Sequence, residues 1–282
     1  MTTMTDGEWQ ERLEAFFELR ARQISEKPTL DDLCYIAGRN PRLWANESLL
    51  DDLRLDMLGL MKAGPGSSVL EVGCAAGFLA KVLAPSVGEY MGVDLAEAPL
   101  AVARRLGLNN ASFERASGES LQFPDRRFDA AYCYDVFSNF PSFATGEPII
   151  AEMLRVVKPQ GRVLIGSIPD REKADELQAI AKRLTAKFEQ EFEPEAERAP
   201  LGTIRKYEQK SGRVAKIAGL LGLSKLSAPI PIEIKPEIIS YYFDREDFVA
   251  LGRRLGVNTR IVDIHPLNPY FGTRFNAVFE SR

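Results

Sequence analysis

The chain has 282 residues, 45% of them hydrophobic, enough for one large domain with a sizeable core. Its formal net charge of −4 supplies no basic field for a phosphate backbone, so nucleic acid is disfavoured as a partner. Cys34, Cys74 and Cys133 are odd in number, widely spaced and without the paired spacing of a zinc site or disulfide framework, which fits a reducing cytoplasm.

From the N-terminus, Trp9, Leu13, Phe16, Phe17 and Leu19 recur at mostly helical spacing and predict an amphipathic helix over residues 9–24. A second helix is expected over 46–61, stopped by Gly64-Pro65-Gly66. The start is polar and acidic, and no apolar run reaches the roughly 20 residues of a membrane span, so neither export nor insertion is expected. Short apolar strands then alternate with helices: strands at 68–72, 90–94, 112–114, 128–134 and 162–167, helices at 77–83, 100–106 and 147–157. This βαβ alternation predicts a mostly parallel sheet covered by helices on both faces. Residues 258–265 and 273–280 read as two further strands forming an antiparallel edge. The stretch 170–242 breaks the pattern with an acidic run from Glu189 to Glu197 and a basic one from Arg205 to Lys216. Two solvated helix faces explain it as well as a cap over a substrate does. The expected organisation is an N-terminal helical lid at 1–62, a core at 63–169 and 243–282, and an inserted helical cap at 170–242.

The densest chemical signal runs from Val69 through Gly73, Cys74, Ala75, Ala76 and Gly77 into Phe78, an apolar strand leading through small residues into a helix. In an open α/β sheet ligands bind at this first turn, outside the carboxyl ends of the strands. The dinucleotide fingerprint Gly-x-Gly-x-x-Gly fails twice, at Ala75 and Phe78, so a pyrophosphate against the helix N-terminus is not favoured. The next strand ends at Asp94, about 20 residues on, where a carboxylate can accept hydrogen bonds from both ribose hydroxyls. Loop and carboxylate together indicate an adenosine ligand.

With those residues in view, residues 68–168 resemble the class I S-adenosylmethionine-dependent methyltransferases of the small-molecule type. The resemblance is carried by Val69-Leu-Glu-Val-Gly-Cys-Ala-Ala-Gly77, Gly92-Val-Asp-Leu95, Leu121-Gln-Phe-Pro-Asp125 followed by Phe128-Asp129, and Glu152-Met-Leu-Arg-Val-Val-Lys-Pro-Gln-Gly161, in that family's order and spacing. It implies a Rossmann-like α/β fold: a seven-stranded mixed sheet in order 3-2-1-4-5-7-6, strand 7 antiparallel, with helices on both faces. It also implies S-adenosyl-L-methionine as cofactor and S-adenosyl-L-homocysteine as product. Carried over, Gly73, Cys74, Ala75 and Gly77 form the loop around the methionine moiety, Asp94 binds the ribose and Leu95 packs on adenine. Glu71 helps hold the loop and the amino end, and Tyr134 faces the methionine part. The family's usual aspartate for the adenine amino group is replaced by Ser117, so Ser117, Gly118 or Glu119 is expected in that place.

Methyl transfer from a sulfonium needs alignment more than a nucleophilic residue. For a hydroxyl acceptor a general base helps, and Asp135, clustered with Tyr132, Tyr134, Ser138 and Asn139, and His265, the only histidine, are the candidates. Tyr241, Tyr242, Tyr270 and Phe271 read either as an aromatic acceptor pocket or as core packing. The proline pair expected of exocyclic-amine DNA methyltransferases is absent after Tyr134, and Cys133 reads as core rather than as a pyrimidine nucleophile. No metal set stands out. The expectation is O-methylation of a small organic acceptor, with no nucleic acid or membrane partner and with a dimer compatible with the sequence. An NAD-linked oxidoreductase and a non-catalytic adenosylmethionine-binding protein are the alternatives.

Overall fold

The computed structural model describes residues 6–24, 27–180 and 241–281. Seven strands form one sheet in the order β3-β2-β1-β4-β5-β7-β6. They are β1 (Ser68–Val72), β2 (Glu89–Asp94), β3 (Ala111–Arg115), β4 (Phe128–Tyr134), β5 (Val157–Pro169), β6 (Asn258–Asp263) and β7 (Arg274–Glu280). β1 is central, pairing in parallel with β2 (Val69 opposite Tyr90) and with β4 (Val69 opposite Ala130). β7 runs antiparallel to both β5 and β6. This is the order and direction that the resemblance implied.

β1 is buried along its whole length, as a strand covered on both faces must be. The period of two sorts its neighbours: on β4, Ala130, Tyr132 and Tyr134 enter one core layer, while Ala131 and Cys133 enter the other. Cys133 is fully buried there, as a core residue.

Helices α1 (Asp6–Ala21), α2 (Leu30–Ile36), α3 (Pro41–Trp44) and α4 (Glu47–Met61) precede the sheet. Asn46 caps α4 by accepting from the Leu49 amide at 3.2 Å, and Lys62 closes it in the left-handed region at φ 53°. α2 starts at a capping box in which Thr29 and Asp32 each satisfy the other's backbone amide. After β1 come α5 (Phe78–Leu83), α6 (Glu97–Arg104), α7 (Phe143–Val156) and α8 (Arg245–Leu255), the last ending at Gly256 with φ 68°. α7 begins four residues earlier than its sequence suggests, because Pro148 lies inside the helix rather than at its first turn. β5 is longer than expected, since Val157 already pairs with Phe128 before the strand continues through Arg162 to Pro169. Residues 181–240, most of the predicted cap, lie outside the described residues.

Candidate functional site

The carboxyl end of β1 turns sharply. The amides of Gly73 and Cys74 both donate to the Val93 carbonyl, at 2.8 and 3.0 Å, tying the loop to the end of β2. Gly73, Ala75 and Gly77 all have positive φ, at 82°, 44° and 78°. At Gly73 a Cβ would also come within 2.5 Å of a Val136 methyl, so glycine is required there twice over. Ala75 holds a conformation that costs an L-residue about 1–2 kcal/mol.

Asp94, at the end of β2, reaches the same loop: its Oδ2 accepts from the Ala75 amide at 2.8 Å and its Oδ1 from the Ala96 amide at 3.0 Å. Burial raises its pKa, and these amide bonds oppose the rise. Leu95 beside it is partly buried, and its carbonyl accepts from Arg115 Nε at 2.7 Å. Past β3, the Ser117 hydroxyl accepts from the Glu119 amide at 3.3 Å, Gly118 packs near Val72 and Ile149, and Glu119 is exposed. The carboxyl ends of β1, β2 and β3 thus bring together the loop, the carboxylate and the Ser117 turn.

Two predicted loop residues point elsewhere. The Cys74 side chain is buried beneath the loop, close to where a Cβ on Gly92 would stand, and burial pushes its thiol pKa well up, so only its backbone belongs to the loop surface. Glu71 points into the core layer below, where its Oε2 accepts from the Tyr90 hydroxyl, which also bonds the hydroxyl of Tyr132. Burial there pushes Glu71 up to about 7.

α1 crosses the same strand ends. Its Trp9 indole donates to the Asn139 carbonyl and meets Phe140 edge-on at 5.6 Å. Glu14 pairs with Arg115 at 3.1 Å, and Glu18 accepts from the Ala98 amide at 2.9 Å. One helix therefore touches the end of β3 and the segments following β2 and β4.

The end of β4 holds the densest charge. Asp135, at φ 61°, accepts from Arg39 Nε and Nη2 on Oδ2 at 3.1 and 2.6 Å, and from Arg274 Nη1 on Oδ1 at 2.8 Å. Arg274 Nη1 also bonds Ser167, at 3.3 Å to its carbonyl and 3.1 Å to its hydroxyl. Burial would raise the Asp135 pKa, but Arg39 and Arg274 outweigh it and hold the carboxyl below its usual range. Both oxygens accept from guanidiniums, so Asp135 stands as an anion that orders Arg39 and Arg274. The Arg39 guanidinium lies over Phe78 at 4.6 Å and Trp44 at 5.1 Å, and that of Arg274 over Tyr270 at 4.2 Å. Ser138 donates to the Asp135 carbonyl at 3.2 Å. Tyr134 is buried with a hydroxyl that has no partner.

His265 is half-buried in the turn after β6, and its Nδ1 accepts from the Leu267 amide at 3.3 Å. Asp56 of α4 is its electrostatic neighbour; burial raises the Asp56 pKa and His265 opposes the rise. Of the predicted aromatics, Tyr270 joins Trp44 (6.5 Å) at the arginine cluster, while Phe271 is 47% exposed. Arg39 and Arg274 were missed by sequence reasoning, because single arginines in a loop and at a strand start carry no motif.

Among the described residues no three His, Cys, Asp or Glu side chains converge as a metal set, and no helix is long and apolar enough to cross a membrane. The family model described as a methyltransferase domain matches residues 70–165. A ubiquinone biosynthesis O-methyltransferase of Hahella chejuensis is 32% identical over 155 residues, covering 51% of this chain and 61% of that protein. One of the same description from Pseudomonas entomophila is 28% identical over 194 residues, covering 64% and 78%. The solved phosphoethanolamine N-methyltransferase 1 of Haemonchus contortus, 12% identical, shares the fold with a TM-score of 0.55 over 98% of this chain and 50% of its own. The chain thus spans about three fifths of the first of these relatives. Matched family model and strand order agree that residues 70–165 are a methyltransferase domain within a sheet of the class I, S-adenosylmethionine-dependent type.

Proposed function

We propose that the chain transfers a methyl group from S-adenosyl-L-methionine to a hydroxyl of a small organic acceptor. The observation that carries this reading is the contact of Asp94 with the Ala75 amide, which sets a ribose-binding carboxylate beside a bent loop of small residues. The O-methyltransferase relatives favour a hydroxyl over an amine.

In this reading Gly73, Ala75 and Gly77 give room for the amino-acid end, Asp94 holds the ribose, Leu95 packs on adenine, and Ser117 with Gly118 and Glu119 meets the adenine edge. Glu71 acts from below, fixing β1 through Tyr90 and Tyr132. α1 excludes water from the strand ends. The cofactor brings the activated methyl and its leaving group; the chain aligns the acceptor, an effect worth roughly 7–11 kcal/mol. In this reading no side chain takes the proton: the acceptor hydroxyl releases it to water through its own acidity.

The test is thermal melting with S-adenosylmethionine, S-adenosylhomocysteine and NAD, on wild type and Asp94→Ala. A ligand at about 100 times its Kd adds about 2.7 kcal/mol, a shift of a few degrees. Stabilisation by the two sulfur ligands alone, lost in Asp94→Ala, supports the reading, and labelled-methyl transfer to a panel of catechols completes it. Stabilisation by NAD alone overturns it.

A further inference from the structure

Around Asp135 the chain assembles donors and leaves acceptors short. Two guanidiniums meet one carboxylate, so the triad carries a net +1, with side chains only 10% (Arg39), 10% (Arg274) and 16% (Asp135) exposed. Arg39 faces Asp135 with its Nε and Nη2, the edge whose two parallel N–H groups match an oxyanion. Arg274 instead uses Nη1, toward Asp135 and Ser167, and its own Nε is buried without any partner.

Two more buried donors at this end of the sheet are also unanswered. The Tyr134 hydroxyl has no partner, and Arg39, Asp56, Asp135 and Arg274 are its charged neighbours. On β7, Asn276 accepts from the Ser167 amide at 2.9 Å through Oδ1, which fixes the amide's orientation and leaves Nδ2 buried and unpartnered. An unmet buried polar group is destabilising, so three of them, Tyr134 at the end of β4 and Arg274 and Asn276 on β7, mark a place built for a ligand that accepts. A water would satisfy one donor without answering the charge.

Resting on the methyltransferase reading, we infer that the free Nε edge of Arg274, with Tyr134 and Asn276, receives a carboxylate of the acceptor, so that the substrate is a hydroxylated aromatic acid. The monoanion follows from the charge: a carboxylate cancels the net +1, whereas a phosphate monoester leaves a buried negative charge. The aromatic ring follows from the surroundings, since Trp44, Phe78 and Tyr270 line the guanidinium faces. Arg274 is thereby a specificity residue, distinct from the loop that holds the cofactor.

The experiment is calorimetric titration of the full chain saturated with S-adenosylhomocysteine, using 3,4-dihydroxybenzoate, the neutral 3,4-dihydroxybenzamide, and phenyl phosphate. The acid binds at least about tenfold tighter than the amide in wild type, as a charge-assisted fork requires. In Arg274→Gln that ratio falls toward one with S-adenosylhomocysteine affinity unchanged, and in Arg274→Lys, which keeps the charge but not the fork, it falls partway. The inference is overturned if the acid binds no tighter than the amide or not at all, if the ratio survives Arg274→Gln, or if phenyl phosphate binds tighter than the acid. It is equally overturned if Arg274→Gln abolishes S-adenosylhomocysteine binding, because the fork then belongs to the cofactor's own carboxylate. Failure of wild type to bind S-adenosylhomocysteine sinks the methyltransferase reading itself, and this inference with it.

Discussion

The Tyr90 hydroxyl donates to Glu71 Oε2 across the β1–β2 pair, in the interior of the protein. Burial raises the Glu71 pKa from 4.5 to about 7, so the folded state holds a proton that the unfolded chain releases near pH 4.5. Glu71 therefore contributes most favourably below pH 4.5, and that contribution is lost as pH rises toward 7. Glu71→Gln, which keeps an acceptor for Tyr90 and has no charge to bury, gains stability relative to wild type as pH rises through that window. Paired urea titrations at pH 4.5, 6 and 8 measure it; a difference that does not change with pH rejects the account.

Ala75 stands at φ 44°, where the absence of a Cβ is an advantage. Ala75→Gly relieves about 1–2 kcal/mol of strain and loses roughly 0.4–1 kcal/mol to the freer unfolded chain, for a net gain of up to about 1.6 kcal/mol. Ala75→Val, β-branched in the same conformation, lowers the melting temperature. Calorimetric melting of the two variants gives shifts of opposite sign.

Removing Arg39 takes two charge-assisted hydrogen bonds from the nearly buried Asp135 carboxylate. Arg39→Met is expected to cost about 3 kcal/mol in chemical denaturation, in the range for breaking a buried ion pair. In the double variant with Asp135→Asn the loss is smaller than the sum of the singles, because both singles remove the same Arg39–Asp135 bonds. Additivity of the two losses would show that the pair is not coupled.

His265→Ala tests whether the only histidine takes a proton from the acceptor. With Nδ1 engaged by the Leu267 amide, the variant retains turnover within about threefold and the wild-type pH profile. A loss of about 10²-fold or more, with a basic limb removed from the profile, would restore the general-base role.

The sheet was legible because its strands are short apolar runs bounded by turns, and β1, β2 and β4 stand within a residue of their expected limits. The loop and Asp94 were legible because they are close in sequence and chemically distinctive. α8 was not read: Phe248, Leu251 and Leu255 are sparse among arginines and acids, and its stability comes from packing against the sheet. α2 was too short to show a period. The Asp135 triad was invisible for another reason: its partners stand 96 and 139 residues away, and only the fold brings them together. Glu71 belongs to the right motif, but the period of two turns its side chain away from the loop surface, while Cys74, past the end of β1, is buried beneath the bend.

The reversed direction of β7 has an evolutionary consequence. Because the strand enters beside the carboxyl end of β5, residue 274 arrives next to residue 167 at the ligand-bearing edge, far outside the matched segment 70–165. Arg39 lies outside that segment on the other side. In the proposed reading, the loop that would hold the methyl donor and the two guanidiniums that would face the acceptor are thus written in separate stretches, although the Asp135 that orders the guanidiniums lies inside the matched one. Mutation can redirect the second while leaving the first intact, so kinship measured over the matched segment tracks the donor, and substrate divergence should be sought at the two flanks.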